Sequence, residues 1–304
     1  MATLARWGAL AGALGGLAAA HGYARYGPRS YRAEFRRWCA AALADAPDPG
    51  PALGEADLAR LPDPVAGYLR IGGAVGLPRL TAVHARFHGR IRSGPGDRWM
   101  TFRGEQLNTT GPRYDRFFRM DASMFALPVD VLHVFTGDTA SMRVSLCSLL
   151  PLVDAASPEV ARAETVTVFN DLCVLAPAAL VDAPVDWTVL GERRVRGSFT
   201  RGPHTVAAEL RFDREGWLAE FVAEDRLRYR SGGTRRPGFE PQRWSTPVGE
   251  YRHFGARVLS SRGEARWHDP AGEFSYLDLW LDDVTSEGGA AAGQRLAGGA
   301  TAGR

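Results

Sequence analysis

The chain has 304 residues, 45% of them hydrophobic and 23% charged, enough to bury a full core and to exclude wholesale disorder or a multi-span membrane protein. A formal net charge of +3 gives no argument for a nucleic-acid partner. All 37 basic residues are arginine, which rules out Schiff-base lysine chemistry and the lysines of phosphate loops and protein kinases.

An uncharged Ala/Gly/Leu-rich run extends from Trp7 to Ala20, shorter than the ~20 residues that span a bilayer as a helix. It lengthens to Tyr26 only if His21 and Arg25 sit at the interface. Gly8, Gly12 and Gly16 form a small-residue stripe that favours close helix contact in lipid. Residues 1–26 are read as a membrane anchor. A signal peptide cleaved after Ala18-Ala19-Ala20 and a soluble helix are the alternatives. Only Arg6 precedes the run, whereas Arg25, Arg29, Arg32, Arg36 and Arg37 follow it, which places the body on the cytoplasmic side. Cys39, Cys147 and Cys173 are odd in number and widely spaced, so no disulfide framework is expected, in keeping with that side; export stays open.

Residues 27–60 hold an amphipathic helix and a linker. Tyr31–Ala44 puts Phe35, Trp38, Cys39, Ala42 and Leu43 on one face, to lie on a membrane surface or pack on the domain. The Pro-rich stretch Asp45–Pro51 ends it. A short helix follows Asp63 and Pro64.

From Leu80 the apolar period changes to two. Val83, Ala85, Phe87 and Ile91 alternate with His84, Arg86, His88, Arg90 and Arg92, predicting a strand with one apolar and one basic face. Strands are further predicted over Arg98–Asn108, Arg113–Asp121, Val129–Thr136 and Ala140–Leu150. One helix interrupts them, capped by Ser157, opened by Pro158 and closed before Pro177. Strands resume near Val185–Leu190, Arg194–Thr200, Thr205–Phe212, Trp217–Tyr229, Trp244–His253, Ala256–His268 and Phe274–Val284. The expected fold is mainly β (α+β): one large curved antiparallel meander over residues 61–285, half-barrel-like, wrapped around Pro158–Leu175, with N-terminal helices. An incompletely filled concave face leaves an apolar cavity. Residues 286–304 read as a disordered Gly/Ala tail.

The usual catalytic signatures are missing, among them G-x-S-x-G, H-E-x-x-H and G-x-G-x-x-G. His84 and His88 lie too far apart along one strand for a shared metal, and no metal site is expected around His253, His268 and Glu264. Cys173 on the central helix reads as a small core residue. Asp225 falls, by alternation, on the face of Trp217, Phe221 and Tyr229. An arginine must meet it there, and Arg243 on the next strand is the expected partner, as a register-fixing pair or as a polar anchor at a cavity mouth.

Several runs resemble an uncharacterised bacterial family, a domain of unknown function, over about Leu61 to Val284. They are Leu61-Pro62 with Tyr68-Leu69, Pro151-Leu-Val-Asp-Ala155, Ala163-Glu-Thr-Val-Thr-Val-Phe-Asn-Asp-Leu-Cys173 with Ala176–Leu180, Asp225-Arg226, Arg243-Trp-Ser-Thr-Pro247, Tyr251, Gly263-Glu264-Ala265, Trp267 and Gly272-Glu-Phe-x-Tyr276. The stretch Gly232–Pro241 departs from the pattern. The family commonly begins with a hydrophobic segment, and the resemblance implies no established reaction. The expected sheet also resembles the bacterial lipoprotein-carrier half-barrel. The expected function is binding of an apolar small molecule or lipid, by a membrane-associated protein anchored through its N-terminus, with no cofactor. Asp171, Asp225, Arg226, Arg243, Trp244, Tyr251, Trp267 and Tyr276 are the candidate ligand-binding residues. The alternatives are a hydrolase-type enzyme built on Asp171, Asp225 and Glu264, or a scaffold recruiting another chain at a sheet edge.

Overall fold

The computed structural model describes residues 15, 16, 18–230 and 237–287. Five helices are numbered along the chain: α1 (residues 18–26), α2 (Tyr31–Ala44), α3 (Glu55–Leu58), α4 (Asp63–Ile71) and α5 (Pro158–Val174). The first six strands are β1 (Ala82–Ile91), β2 (Met100–Thr109), β3 (Arg116–Met124), β4 (Leu127–Thr136), β5 (Thr139–Leu146) and β6 (Leu150–Ala156). After α5 and a short 3-10 turn come β7 (Val185–Gly191), β8 (Arg194–Arg201), β9 (His204–Phe212), β10 (Leu218–Arg230), β11 (Gly238–Phe254), β12 (Arg257–Asp269) and β13 (Gly272–Glu287).

All thirteen strands join one open antiparallel sheet in the order β6-β5-β4-β3-β2-β1-β13-β12-β11-β10-β9-β8-β7. The mainly β fold expected from alternation is present. The meander, however, is two runs of hairpins stitched together by the first and last strands, with Ala82 opposite Glu287 and Ile91 opposite Leu277. The strand β6, beyond the expected end of its neighbour at Leu150, is an edge strand. It tolerates Pro151 because one side of an edge needs no ladder donor.

Helix α5 links the two outermost strands. It lies against β5 on one side and β9 and β10 on the other. In a flat sheet β5 and β10 would be roughly 38 Å apart at ~4.8 Å per strand, far wider than a helix ~10–12 Å across. The sheet therefore curls around α5. Ser157 Oγ accepts from Val160 N at 3.3 Å and Pro158 opens the helix, as the sequence predicts. Phe169, fully buried, is seated over Gly197 of β8, where a Cβ would come within 2.6 Å of the Phe169 ring.

Helix α2 packs on the opposite, outer face. Phe35, Cys39, Ala42 and Leu43 meet Ala82, Leu107, Phe117, Leu132 and Val134 there, so this helix is committed to the domain. Leu53 and Leu58 enter the main core ahead of residue 61. Helix α1 is held by His21 Nδ1 to Cys147 O (2.7 Å) and Arg25 to Asp130 (2.5 Å). Among the described residues no helix is long and apolar enough to cross a membrane. Most of the run Trp7–Ala20 and of the expected tail lies outside the described residues. All three cysteines are free.

Candidate functional site

The concave face is incompletely filled. Between α5 and the sheet is a cavity of about 440 Å³, walled by Phe87, Phe118, Met120, Val131, Val144, Val248, Leu279 and other apolar side chains. Its size is that of a small-molecule site, roughly 300–1,000 Å³. Helix α5 contributes Glu164, Thr167, Asn170, Asp171 and Val174, positions three and four apart that share one face. The other face of α5 is core: Phe169 stacks on Phe199 with centroids 5.4 Å apart and meets Phe221 edge-on.

The polar floor is built around Arg116, which alternates inward with Phe118 and Met120 on β3. Its Nε donates to Asp171 Oδ2 at 2.8 Å, its Nη1 to Glu164 Oε2 at 3.0 Å, and its Nη2 to Gln106 Oε1 at 3.3 Å. Gln106 Nε2 and Asn108 Nδ2 each donate to the same Asp171 oxygen at 2.9 Å. Burial opposes ionisation of Glu164, but Arg116, with His133 and Arg226, holds its carboxyl below the ordinary range. Buried Arg116 stays charged beside Asp171 and Glu164.

His133 lines the same cavity, with Nδ1 3.8 Å from Glu164. Burial, aided by Arg116 and Arg226 and opposed by Glu164, pushes its pKa down to about 4. The unfolded chain takes up this proton near pH 6.5, so it binds more protons than the folded one in between, and stability falls as pH drops through that window. Urea melts from pH 7 to pH 4 are expected to show this loss and a shallower slope in His133→Gln; equal slopes would contradict it.

On the opposite wall Arg226 lies between Trp244 (4.8 Å) and Trp267 (5.2 Å), its Nη2 donating to Thr167 Oγ1 at 3.2 Å. Trp267 stacks on Tyr276, whose hydroxyl accepts from Trp244 Nε1 at 3.1 Å. A bulge between Ala223 and Arg226 shifts the alternation of β10. Phe221 and Ala223 are buried, and after the extra residue Arg226 takes the inward position that simple alternation gives to Asp225.

Of the eight residues nominated from sequence, Asp171, Arg226, Trp244, Trp267 and Tyr276 line the cavity. The other three do not. Asp225 has a side chain 46% exposed and takes Arg162 at 2.5 Å, not Arg243 as expected. Arg243 instead lies 3.6 Å from Glu224. Tyr251 stacks on Trp217 at 4.3 Å and donates to Leu218 O at 2.7 Å, in an aromatic cluster with Tyr68. For the carboxylate triad of the hydrolase reading, Asp171 and Glu264 line the cavity, whereas Asp225 does not. Among the described residues no three His, Cys, Asp or Glu side chains cluster so as to hold a metal ion. The Cys173 thiol, fully buried, is pushed well up by burial and stays protonated.

The sequence reading missed Arg116, His133 and Glu164. Two signals were present: Arg116 stands in phase with Phe118 and Met120, and Glu164 precedes Asp171 by seven residues, two helical turns.

The chain is distantly similar to several solved structures. One is a domain from Vibrio parahaemolyticus, provisionally described as an outer membrane lipoprotein-sorting protein domain (10% identity, 68% of this chain and 86% of that one, TM-score 0.41). A DUF1329 family protein from Desulfovibrio piger matches at 11% identity, over 80% of this chain and 95% of that one, with TM-score 0.41. A LolA superfamily protein from Nitrosomonas europaea matches at 9% identity, over 73% and 93%, with TM-score 0.40. At such scores the likeness bears on neither ligand nor role. No curated protein matches the chain. A family model does match, over residues 51–279, and by it the chain belongs to the family of unknown function DUF6544.

Proposed function

We propose that the protein binds a single-chain amphiphile in the cavity between α5 and the sheet, its apolar chain along the apolar walls and its head group at the polar floor. The observation that carries this reading is an apolar-walled space of about 440 Å³ ending on a buried polar floor, the combination that orients an amphiphile. A cavity of ~150 Å³ holds benzene; on that scale this one takes roughly eighteen carbons, a single acyl chain. Trp244, Trp267, Tyr276, Arg226 and Asp171 are its proposed contacts.

The ligand is proposed to come from a membrane. In addition to the apolar run Trp7–Ala20 in the sequence, the chain exposes Phe125 at a hairpin tip (78%), and Tyr23, Tyr26, Leu149 and Leu150 are exposed as well. The arginines that follow the run put the body on the cytoplasmic side of such an anchor.

Native mass spectrometry of the full chain extracted in mild detergent is expected to show a single-chain lipid adduct; uniformly ligand-free protein would count heavily against the reading. Gly263 gives a second test. It lines the cavity, and a Cβ there meets only Val248 Cγ1 at 3.4 Å and Pro247 O at 3.7 Å. Gly263→Leu is expected to fill part of the space and weaken binding of the neutral probe N-phenyl-1-naphthylamine at least ~10-fold, with Tm unchanged or raised. Undiminished probe binding by this variant would place the probe elsewhere.

A further inference from the structure

The charges on the cavity floor speak to the head group of its occupant, an inference that rests on the cavity reading above. Among the described lining residues, the cations are Arg116 and Arg226 and the anions are Glu164, Asp171 and Glu264. Glu264 is matched from outside the lining by Arg266 Nε at 3.0 Å. Arg116 is committed to both Asp171 and Glu164, and Arg226 lies 3.8 Å from the second oxygen of Glu164. Two positive and two negative groups thus close on one another. His133, its Nδ1 sealed from solvent and without a hydrogen-bond partner, adds no charge at neutral pH. An entering carboxylate or phosphate would meet no cation without an acidic neighbour, only the buried Nε of Arg226 lacking a hydrogen-bond partner, and would be desolvated beside Glu164 and Asp171. An entering ammonium would meet no spare anion. A charge buried without a partner is costly. Tyr276, by contrast, accepts from Trp244 and keeps its own O–H to donate into the cavity.

We propose that the site selects an uncharged head group bearing an acceptor oxygen, an ester or amide carbonyl, on a single acyl chain, and discriminates against the free fatty acid. The full chain is titrated at pH 7.5 with N-phenyl-1-naphthylamine and the probe is displaced by monopalmitoylglycerol, palmitate or hexadecyltrimethylammonium, each below its micelle concentration. Monopalmitoylglycerol is expected to displace the probe at a concentration at least ~10-fold lower than either charged amphiphile. Palmitate displacing as well as or better than monopalmitoylglycerol overturns the head-group assignment and leaves the cavity reading standing; failure of all three, with no probe binding, sinks both. Glu164→Gln supplies the converse. It leaves one cation unmatched and is expected to narrow or reverse the preference toward palmitate, and an unchanged ratio in a variant that folds counts against the charge argument. The wild-type series decides the matter if that variant does not fold.

Discussion

Arg116→Met is expected to cost about 3–5 kcal/mol of stability, because it removes one partner of a buried cluster and leaves the others charged. The guanidinium bonds Asp171, Glu164 and Gln106 and its side chain is only 8% exposed. With Met in its place, Glu164 and Asp171 face an apolar wall with only the amides of Gln106 and Asn108, the more distant Arg226 and a neutral His133 nearby. For a domain of this size the loss corresponds to a fall of roughly 10 °C in Tm, measured by urea and thermal unfolding. The triple variant Arg116→Met/Glu164→Gln/Asp171→Asn removes the unpaired charges and is expected to recover much of the loss, since a buried ion cluster often adds little over neutral groups of similar volume. A single variant within ~1 kcal/mol of wild type would mean that water reaches the floor and the cluster is not sealed.

Phe169→Ala is expected to cost a similar amount, about 3–5 kcal/mol, for a different reason. Its ring is 0% exposed, stacked on Phe199 and edge-on to Phe221, and it occupies the hollow that Gly197 leaves in β8. Truncation opens a void that β8 and β10 cannot collapse into, because each of them is held by neighbours on both sides. A double-mutant cycle with Phe199→Ala is expected to show a coupling of about 0.5–1.5 kcal/mol. Because Phe169 lies on the face of α5 turned away from the cavity, probe affinity of the folded fraction should stay at the wild-type value. A large change in affinity at equal folding would show that α5 is not a rigid divider between core and cavity.

Most of the architecture was legible because it is local. Period-two alternation, as in Val83, Ala85 and Phe87, marks a strand wherever one face is buried, and Ser157-Pro158 and Pro177 punctuate α5. The pairing of β1 with β13 was not legible, since contacts between residues 82 and 287 leave no signal in either segment alone. The site was half legible for the same reason. The aromatic positions Trp244, Trp267 and Tyr276 stand in recognisable strands, and alternation carries them to the cavity. Asp225 was misplaced because a single bulge inverts every inward assignment beyond it, a geometry that alternation cannot foresee. Arg116 and His133 stand on the paired strands β3 and β4, but Glu164 comes from α5, and only the curl of the sheet around that helix brings it to them.

One feature of the chain path acts like a bowstring. Laid flat, thirteen strands would stretch about 58 Å at ~4.8 Å each, yet the limbs β6 and β7 are tied by a 17-residue helix about 26 Å long at ~1.5 Å per residue. Every residue that uncoils from the string pays out roughly 1.8 Å of slack. The string is also pinned at its end, where the Tyr68 hydroxyl donates to Cys173 O at 3.1 Å, so the gape of the curl is fixed, and amide exchange in α5 is expected to be as slow as at the β1–β13 seam.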